Sequence, residues 1–600
     1  MNNYSRRPIL LVLFVVMGLI FLIRLFTLQV LDNSWKIQAA SMSERRIIQY
    51  AARGVIYDRN GKELVTNLPV YDLMVVPKDL KEIDTNLFCN LVGINIEDFR
   101  LRIAQAKKYS MRKPSLFEKQ IPAHEYGKIA EQLYQFPGFF GQSRTLRTYP
   151  RKIAAHVLGY IGEASAPMLE KNPYYKKGDY IGYNGIEKYY EESLRGTRGV
   201  NYVVVDVHNN TQGPYKDGAY DTLPVSGENI YLSMDADLQA YAEKLLTGKR
   251  GAVVAIEPAT GEILAMANNP NYDPNLLIGR VRSKNYLNLL QDTLKPLFNR
   301  ASMSRYPPGS TFKLVNGLIA LQEGTINPNT SFTCRQGYYY PGGKVGCHAH
   351  SSPVRLDFSI TTSCNAYYCN VFKSLMDDGA STEANYKKWR EYLTAFGFGK
   401  PLGIDLPSEN SGFIPKTEYY DKFYGRNRWK GLTIISLSIG QGEIGISPIQ
   451  MANMCATIAN RGSYYIPHFI KGFASNPDSI PPEFKEKQKI PIDSVYWELI
   501  VNGMENVVLN GTGRRAQFSK DISVCGKTGT AQNPHGKDHS IFIAFAPKNN
   551  PKIAIAVYVE NVGFGSTWAA PIASLMIEKY LTNEITRPAE EERMVKADLL

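Results

Sequence analysis

Arg305 to Gln322 reads RYPPGSTFKLVNGLIALQ. Pro307, Pro308 and Gly309 break regular structure, and behind them Phe312, Leu314, Val315, Leu318, Ile319 and Leu321 recur with the spacing of a buried helix face. The stretch is therefore expected to be a turn that opens a core helix. Residues three apart share a face on such a helix, which places the Lys313 amine within reach of the Ser310 hydroxyl. A serine hydroxyl is a weak nucleophile until a neighbouring base takes its proton, and a desolvated lysine can do so. The bland alternative is a polar helix start with a solvated lysine.

Two further motifs follow in order. Ser363 and Asn365 stand in SCN, 53 residues after Ser310 (363 minus 310), between LDFSITT and AYYCNVF. That boundary between apolar segments suits a short loop lining a cleft, where a hydroxyl relays a proton and an amide holds a substrate backbone. Its bland reading is a helix cap. Lys527, Thr528 and Gly529 spell K-T-G between ISVC and the β-like run SIFIAFAP, which puts them on or beside an edge strand. An extended peptide could add itself to that strand, and Gly529 leaves room for close backbone approach. The chain also holds decoys, Ser110/Lys113 as S-x-x-K and Ser408/Asn410 as S-x-N. Pro114 biases Lys113 away from helical backbone, so the first decoy should not share a helix face.

S-x-x-K, S-x-N and K-T-G together mark enzymes that recognise penicillin. The surrounding RYPPGSTFK, GAVVAIEPATGEILAMANNPNYDPN (Gly251 to Asn275), LSIGQGEIGISPIQMA (Leu437 to Ala452) and GKTGTAQ (Gly526 to Gln532) resemble a penicillin-binding transpeptidase domain, over roughly residues 226 to 580. ARGVIYDRNGKELVTN (Ala52 to Asn67), RTYPRKIAAHVLGYIGE (Arg147 to Glu163) and GYNGIEKYYEESLRG (Gly182 to Gly196) resemble the pedestal of class B penicillin-binding proteins, most like the cell-elongation group. The resemblance implies a multi-domain α/β (α+β) chain: a single N-terminal transmembrane helix, an elongated α+β pedestal, and a transpeptidase fold with an antiparallel sheet flanked by helices. It implies peptidoglycan stem peptides and β-lactams as ligands, with Ser310, Lys313, Ser363 and Asn365 catalytic. Lys527, Thr528, Gly529 and Thr530 would bind substrate, the amides of Ser310 and Thr530 forming the oxyanion hole. No glycosyltransferase domain is visible. The expected partners are therefore a SEDS-type, RodA-like membrane glycosyltransferase and elongation-complex scaffold proteins.

Ile9 to Ile23 is apolar throughout, apart from Gly18, and Arg6 and Arg7 precede it. An uncleaved anchor with a cytoplasmic N-terminus and an extracytoplasmic catalytic domain at the inner membrane is expected, the rival being a cleaved signal peptide. The expected boundaries are 1–7 cytoplasmic, 8–31 anchor, 32–225 pedestal or dimerisation-type domain with a head at about 75–145, 226–582 transpeptidase, and 583–600 charged tail. RNG (Arg59 to Gly61) reads as a hairpin turn, and VYDLMVV (Val70 to Val76) and VNYVVVDV (Val200 to Val207) as strands. The net charge of +13 invites nucleic acid, but lysine and arginine are interspersed with 56 acidic residues and no nucleic-acid motif occurs, so none is expected.

Seven cysteines cannot all pair within one chain. Cys334, Cys347, Cys364 and Cys369 cluster in sequence beside His348 and His350. Cys334, Cys347, His350 and Cys364 would complete a Cys₃His zinc set, as some members of the elongation group carry, and His350 is preferred to His348. The alternative is a Cys334–Cys347 disulfide. The chemistry itself requires no cofactor. A division-specific transpeptidase, a β-lactamase or β-lactam sensor, and an idle scaffold are the competing functions; no deacylating glutamate can be placed in the sequence.

Overall fold

The computed structural model describes residues 7–28, 44–205, 211–379, 381–477 and 479–600. Arg6 and the rest of the expected cytoplasmic segment before Arg7, Gln29, Val30 and Leu31 of the expected anchor, and Asp206 and Val207 of an expected strand lie outside the described residues. Arg7–Phe26 is one helix, and its stretch Pro8–Phe26 has a mean hydropathy of 3.0 and none of it buried. Nineteen residues at 1.5 Å each are about 28 Å, close to the thickness of a bilayer core.

The chain divides into two compact units. The smaller comprises residues 1–52, 69–145 and 196–227. Its packed centre is aromatic: Phe88 meets Phe99, Phe117, Phe136 and Phe139 in edge and tilted contacts. A separate three-stranded sheet in this unit pairs Glu44–Gln49 with Gly199–Val205, and the latter with Thr211–Pro214.

The larger unit takes in 53–68 and 146–195 together with 228–600, so two stretches of the expected pedestal belong with the catalytic region. Contacts with 228–600 explain this: Ile56–Tyr57 pairs parallel with Ile230–Leu232, Arg59 reaches Glu257 and Glu262 at 3.1 and 3.4 Å, and the Tyr190 hydroxyl donates to Asp405 at 3.0 Å. Charge also fastens the two stretches to each other. Arg53 and Arg147 both reach Glu187, at 2.6 and 2.7 Å, and Arg53 also reaches Glu191 at 2.6 Å. All four are buried, so each arginine needs a carboxylate that stays ionised. Burial works against the Glu187 charge, yet the two guanidinium groups hold its carboxyl below the usual range. The RNG signal is a hairpin, with Ile56–Tyr57 pairing antiparallel to the start of Glu63–Val75 and Gly61 in left-handed backbone.

The catalytic region is built on five strands, β1 (Gly251–Ile256), β2 (Ile263–Asn269), β3 (Cys525–Ala531), β4 (His539–Ala546) and β5 (Ile553–Val559). They form an all-antiparallel sheet in the order β2-β1-β5-β4-β3, as the expected fold class requires. The helices that matter are α1 (Ala236–Leu246), α2 (Lys313–Gln322), α3 (Leu356–Thr361), α4 (Asn365–Asp377), α5 (Pro448–Ala459), α6 (Ser494–Leu509), α7 (Ala569–Thr582) and α8 (Pro588–Lys596). Strand side chains alternate between two cores. Val253, Phe542 and Val557 face α1 and α7, whereas Val254, Ile541 and Tyr558 face α2, α5 and α6.

The charged segment 583–600 is folded. It contains α8, whose Met594 is fully buried, and Arg587 pairs with Glu578 at 2.7 Å.

Candidate active site

Three segments converge at the β3 edge of the sheet. The turn before α2 is a single 3₁₀ turn, Gly309–Phe312, and Lys313 begins the α-helix proper. Ser310 thus precedes the α-helix rather than lying on it, although i and i+3 still align in a 3₁₀ turn. Gly309 makes the turn possible. It has φ +57°, its amide donates to Gly440 O at 2.9 Å, and a Cβ there would stand 3.0 Å from Thr530 O. Gly529 answers from β3, because a Cβ on it would lie 3.2 Å from the Thr311 methyl and 3.3 Å from Pro308 O. The Ser310 turn and β3 therefore touch backbone to backbone, and β3 is the edge strand that its flanking sequence suggested.

The SCN motif is the joint between α3 and α4. Ser363 has φ +56°, in left-handed backbone that a side chain disfavours by roughly 1–2 kcal/mol. Its amide donates to Ile360 O at 3.2 Å and the Cys364 amide to Ser359 O at 3.0 Å. That is the hydrogen-bond pair of a Schellman helix end, with serine where glycine usually stands. Cys364 then caps α4, its sulfur accepting from Tyr367 N. The joint aims the Ser363 hydroxyl between two amines.

Lys313 Nζ donates to Ser363 O at 2.7 Å, Ser363 Oγ at 3.1 Å and Asn365 Oδ1 at 2.5 Å. Lys527 Nζ donates to the same Ser363 Oγ at 2.8 Å and to Thr528 O at 3.0 Å. Both lysines are fully buried, and neither forms an ion pair with a carboxylate among the described residues. Burial pushes the Lys313 ammonium down to about 8, and burial together with the charge of Lys313 pushes Lys527 well below the usual lysine range. The hydrogen bonds of Lys313 run to Ser363 and Asn365, and Ser310 is half-buried one turn before it. Thr528 Oγ1 lies 2.5 Å from Thr512 Oγ1. Thr512 carries no motif in the sequence that would have singled it out.

The decoys are elsewhere engaged. Ser110 ends a helix and accepts from the amides of Arg112 and Lys113 at 3.2 and 3.1 Å, and Ser408 and Asn410 bond to Ser302.

Beside the SCN joint, one ligand atom each from Cys334, Cys347, His350 and Cys364 lies within 4.8 Å of the others. All seven cysteines are free thiols. Cys347 Sγ is 3.7 Å from Cys364 Sγ and 3.6 Å from His350 Nε2. Tetrahedral zinc with ordinary bond lengths would require about 3.8 Å between sulfurs and about 3.6 Å from sulfur to imidazole nitrogen, so the donor set fits. His350 Nδ1 lies 2.9 Å from Ser351 O, the outer bond that frees Nε2 as a ligand. The Asn365 amide donates to Cys347 Sγ at 3.0 Å, tying this cluster to the site. His348 turns away, its ring against Phe564.

A serine turn, two buried lysines sharing one hydroxyl and an open strand edge define a penicillin-recognising acyl-transfer fold. The profile of the penicillin-binding protein transpeptidase domain matches residues 251–578, and that of the penicillin-binding protein dimerisation domain matches 48–232. The chain belongs to the class B penicillin-binding proteins and is a serine-type transpeptidase. It is similar to the peptidoglycan D,D-transpeptidase MrdA of Haemophilus influenzae, 33% identical over 89% of this chain and 84% of that protein. Among solved structures it resembles the Helicobacter pylori complex between penicillin-binding protein PBP2 and MreC, with TM-score 0.75, 26% identity and coverage of 90% of this chain and 99% of that one. It also resembles a chain of a peptidoglycan synthase complex described as coordinating polymerization and crosslinking, with TM-score 0.72, 27% identity and coverage of 97% and 99%.

Proposed function

We propose that Ser310 is the nucleophile through which this chain crosslinks peptidoglycan as a D,D-transpeptidase during cell-wall elongation. The observation that carries the assignment is the Ser363 hydroxyl, held 3.1 Å from Lys313 and 2.8 Å from Lys527, which makes one site of three motifs far apart in sequence.

A donor stem ending in D-Ala-D-Ala lies along the β3 edge, with its terminal carboxylate toward Lys527, Thr528 and Thr530. Neutral Lys313 takes the proton of Ser310 as Oγ bonds to the penultimate D-Ala carbonyl carbon. The amides of Ser310 and Thr530 stabilise the oxyanion. The carbon–nitrogen bond breaks, and the proton passes by way of Ser363 to the departing D-Ala amine. The acceptor amine of a second stem then attacks the ester. Its proton returns through the lysines to Ser310 as the crosslink forms. Asn365 holds the donor backbone, and Gly529 keeps the approach open. A β-lactam follows the first half-reaction and leaves Ser310 acylated.

Zinc at Cys334, Cys347, His350 and Cys364 would act structurally, holding the SCN joint in register; the acyl transfer uses none of its chemistry. The apolar helix is the membrane anchor, with the N-terminus cytoplasmic and the catalytic region outside. The similar solved complexes support a scaffold protein and a membrane glycosyltransferase as partners.

The test is labelled penicillin. The native protein forms a covalent adduct and Ser310→Ala forms none; an adduct that persists in Ser310→Ala refutes the assignment.

A further inference from the structure

Phe564 is 59% exposed, a large apolar side chain standing in solvent on a loop that is firmly held. Its carbonyl accepts from Ser540 Oγ at 2.9 Å, and Ser540 is the β4 partner of Thr530. The next residue, Gly565, lies so close that a Cβ on it would come within 2.4 Å of Gly529 O. Phe564 is thus anchored to the K-T-G side of the cleft. His348, also exposed, is anchored to the other side. It follows Cys347, whose sulfur accepts from the Asn365 amide, and Asn365 Nδ2 donates to Gly346 O at 2.6 Å. The two rings meet edge to face, 6.4 Å between centroids at 67°.

The pair joins the segment after Cys347 to the loop beside K-T-G, so the rings span the two sides of the site from which the motif residues come. A bare protein gains little from such a contact in water, whereas an aliphatic chain slid under it would be desolvated on two sides. We propose that His348 and Phe564 form a clasp over the β3 edge that grips the extended acyl-donor peptide on the residues preceding its terminal pair. The clasp is a specificity element: it engages a long peptide and passes over a compact acylating agent that reaches only Ser310 and Lys527. This rests on the reading of Ser310 as nucleophile and adds the means by which peptide length is sensed.

The experiment compares, in the full chain with Ser310 intact, acylation by a compact penicillin and by an extended synthetic peptide ester ending in D-Ala-D-lactate. The measured quantity is the ratio of their second-order rate constants, peptide over penicillin. Phe564→Ala should lower that ratio about ten-fold, as a rise in KM for the peptide with kcat retained, because one aromatic face of apolar contact is lost. His348→Ala should lower it about three-fold, and the double variant should fall no further than Phe564→Ala, since the rings act as one unit. Phe564→Tyr should keep the native ratio. An unchanged ratio in Phe564→Ala, a parallel fall with both reagents, or additive single effects would each overturn the clasp. Phe564 lies outside the cysteine and histidine cluster, so its variants report on the clasp and not on a metal. Loss of Ser310 reactivity abolishes both acylations, whereas failure of the clasp leaves both running at their native ratio.

Discussion

Two places in the larger unit bury several charges, and they are built on opposite plans. Around Glu187, two arginines meet two glutamates, so the cluster is neutral and every charge has a counter-ion. Around Ser363, two lysines share one hydroxyl and are bonded only to neutral oxygens. Balance fixes protonation and makes the first cluster a fastening. Imbalance loosens protonation and makes the second a reagent.

Replacing Lys313 with methionine should therefore slow acylation by labelled penicillin by about 10³-fold, within the range for losing a general base, while leaving thermal stability unchanged or raised. Glu187→Gln should do the reverse. It leaves two buried arginines short of charge and should cost about 3–5 kcal/mol in denaturant unfolding, with the acylation rate of the folded fraction kept within a few-fold. If both variants lose stability alike, or both lose chemistry alike, the contrast is broken.

Zinc removal sharpens it further. Cys334→Ser, or a chelator applied to the native protein, should release about one zinc per chain by elemental analysis and slow acylation about ten-fold through misplacement of the SCN joint. Acidity is next. With Lys313 near 8, acylation should rise with pH through about 8 as its neutral form accumulates. Because its folded value is depressed below the unfolded 10.4 or so, the unfolded chain binds more protons between about 8 and 10.4, and Lys313 makes stability rise with pH across that window. Ser363→Gly should disturb stability little. Relief of left-handed strain and the added freedom of the unfolded chain nearly offset, so unfolding should shift by no more than about 1 kcal/mol while acylation falls.

The three motifs, their order and the edge position of K-T-G were legible in the sequence, because short spacing and apolar flanks are local properties. The same holds for the gathering of Cys334, Cys347, His350 and Cys364, three of which lie within 18 residues. What stayed hidden depends on partners distant in sequence. Nothing near Ser363 announces a left-handed serine, since its conformation is imposed by two helix ends meeting. Arg59 and Glu257 are 198 residues apart and Tyr190 and Asp405 are 215 apart, so the grouping of 53–68 and 146–195 with the larger unit could not be read from composition. The bonds of Lys313 to Ser363 and Asn365 likewise span 50 and 52 residues.

The hydroxyl between the two amines has a consequence for proton economy. In the proposed mechanism, the proton that Ser310 gives up on attack passes to the lysines, and the departing amine draws on the same store. The incoming amine refills it. Over a complete cycle the cleft exports D-Ala and a crosslink with no net gain or loss of protons, while the fraction of the protein ready to begin a cycle follows the acidity of the medium around the wall.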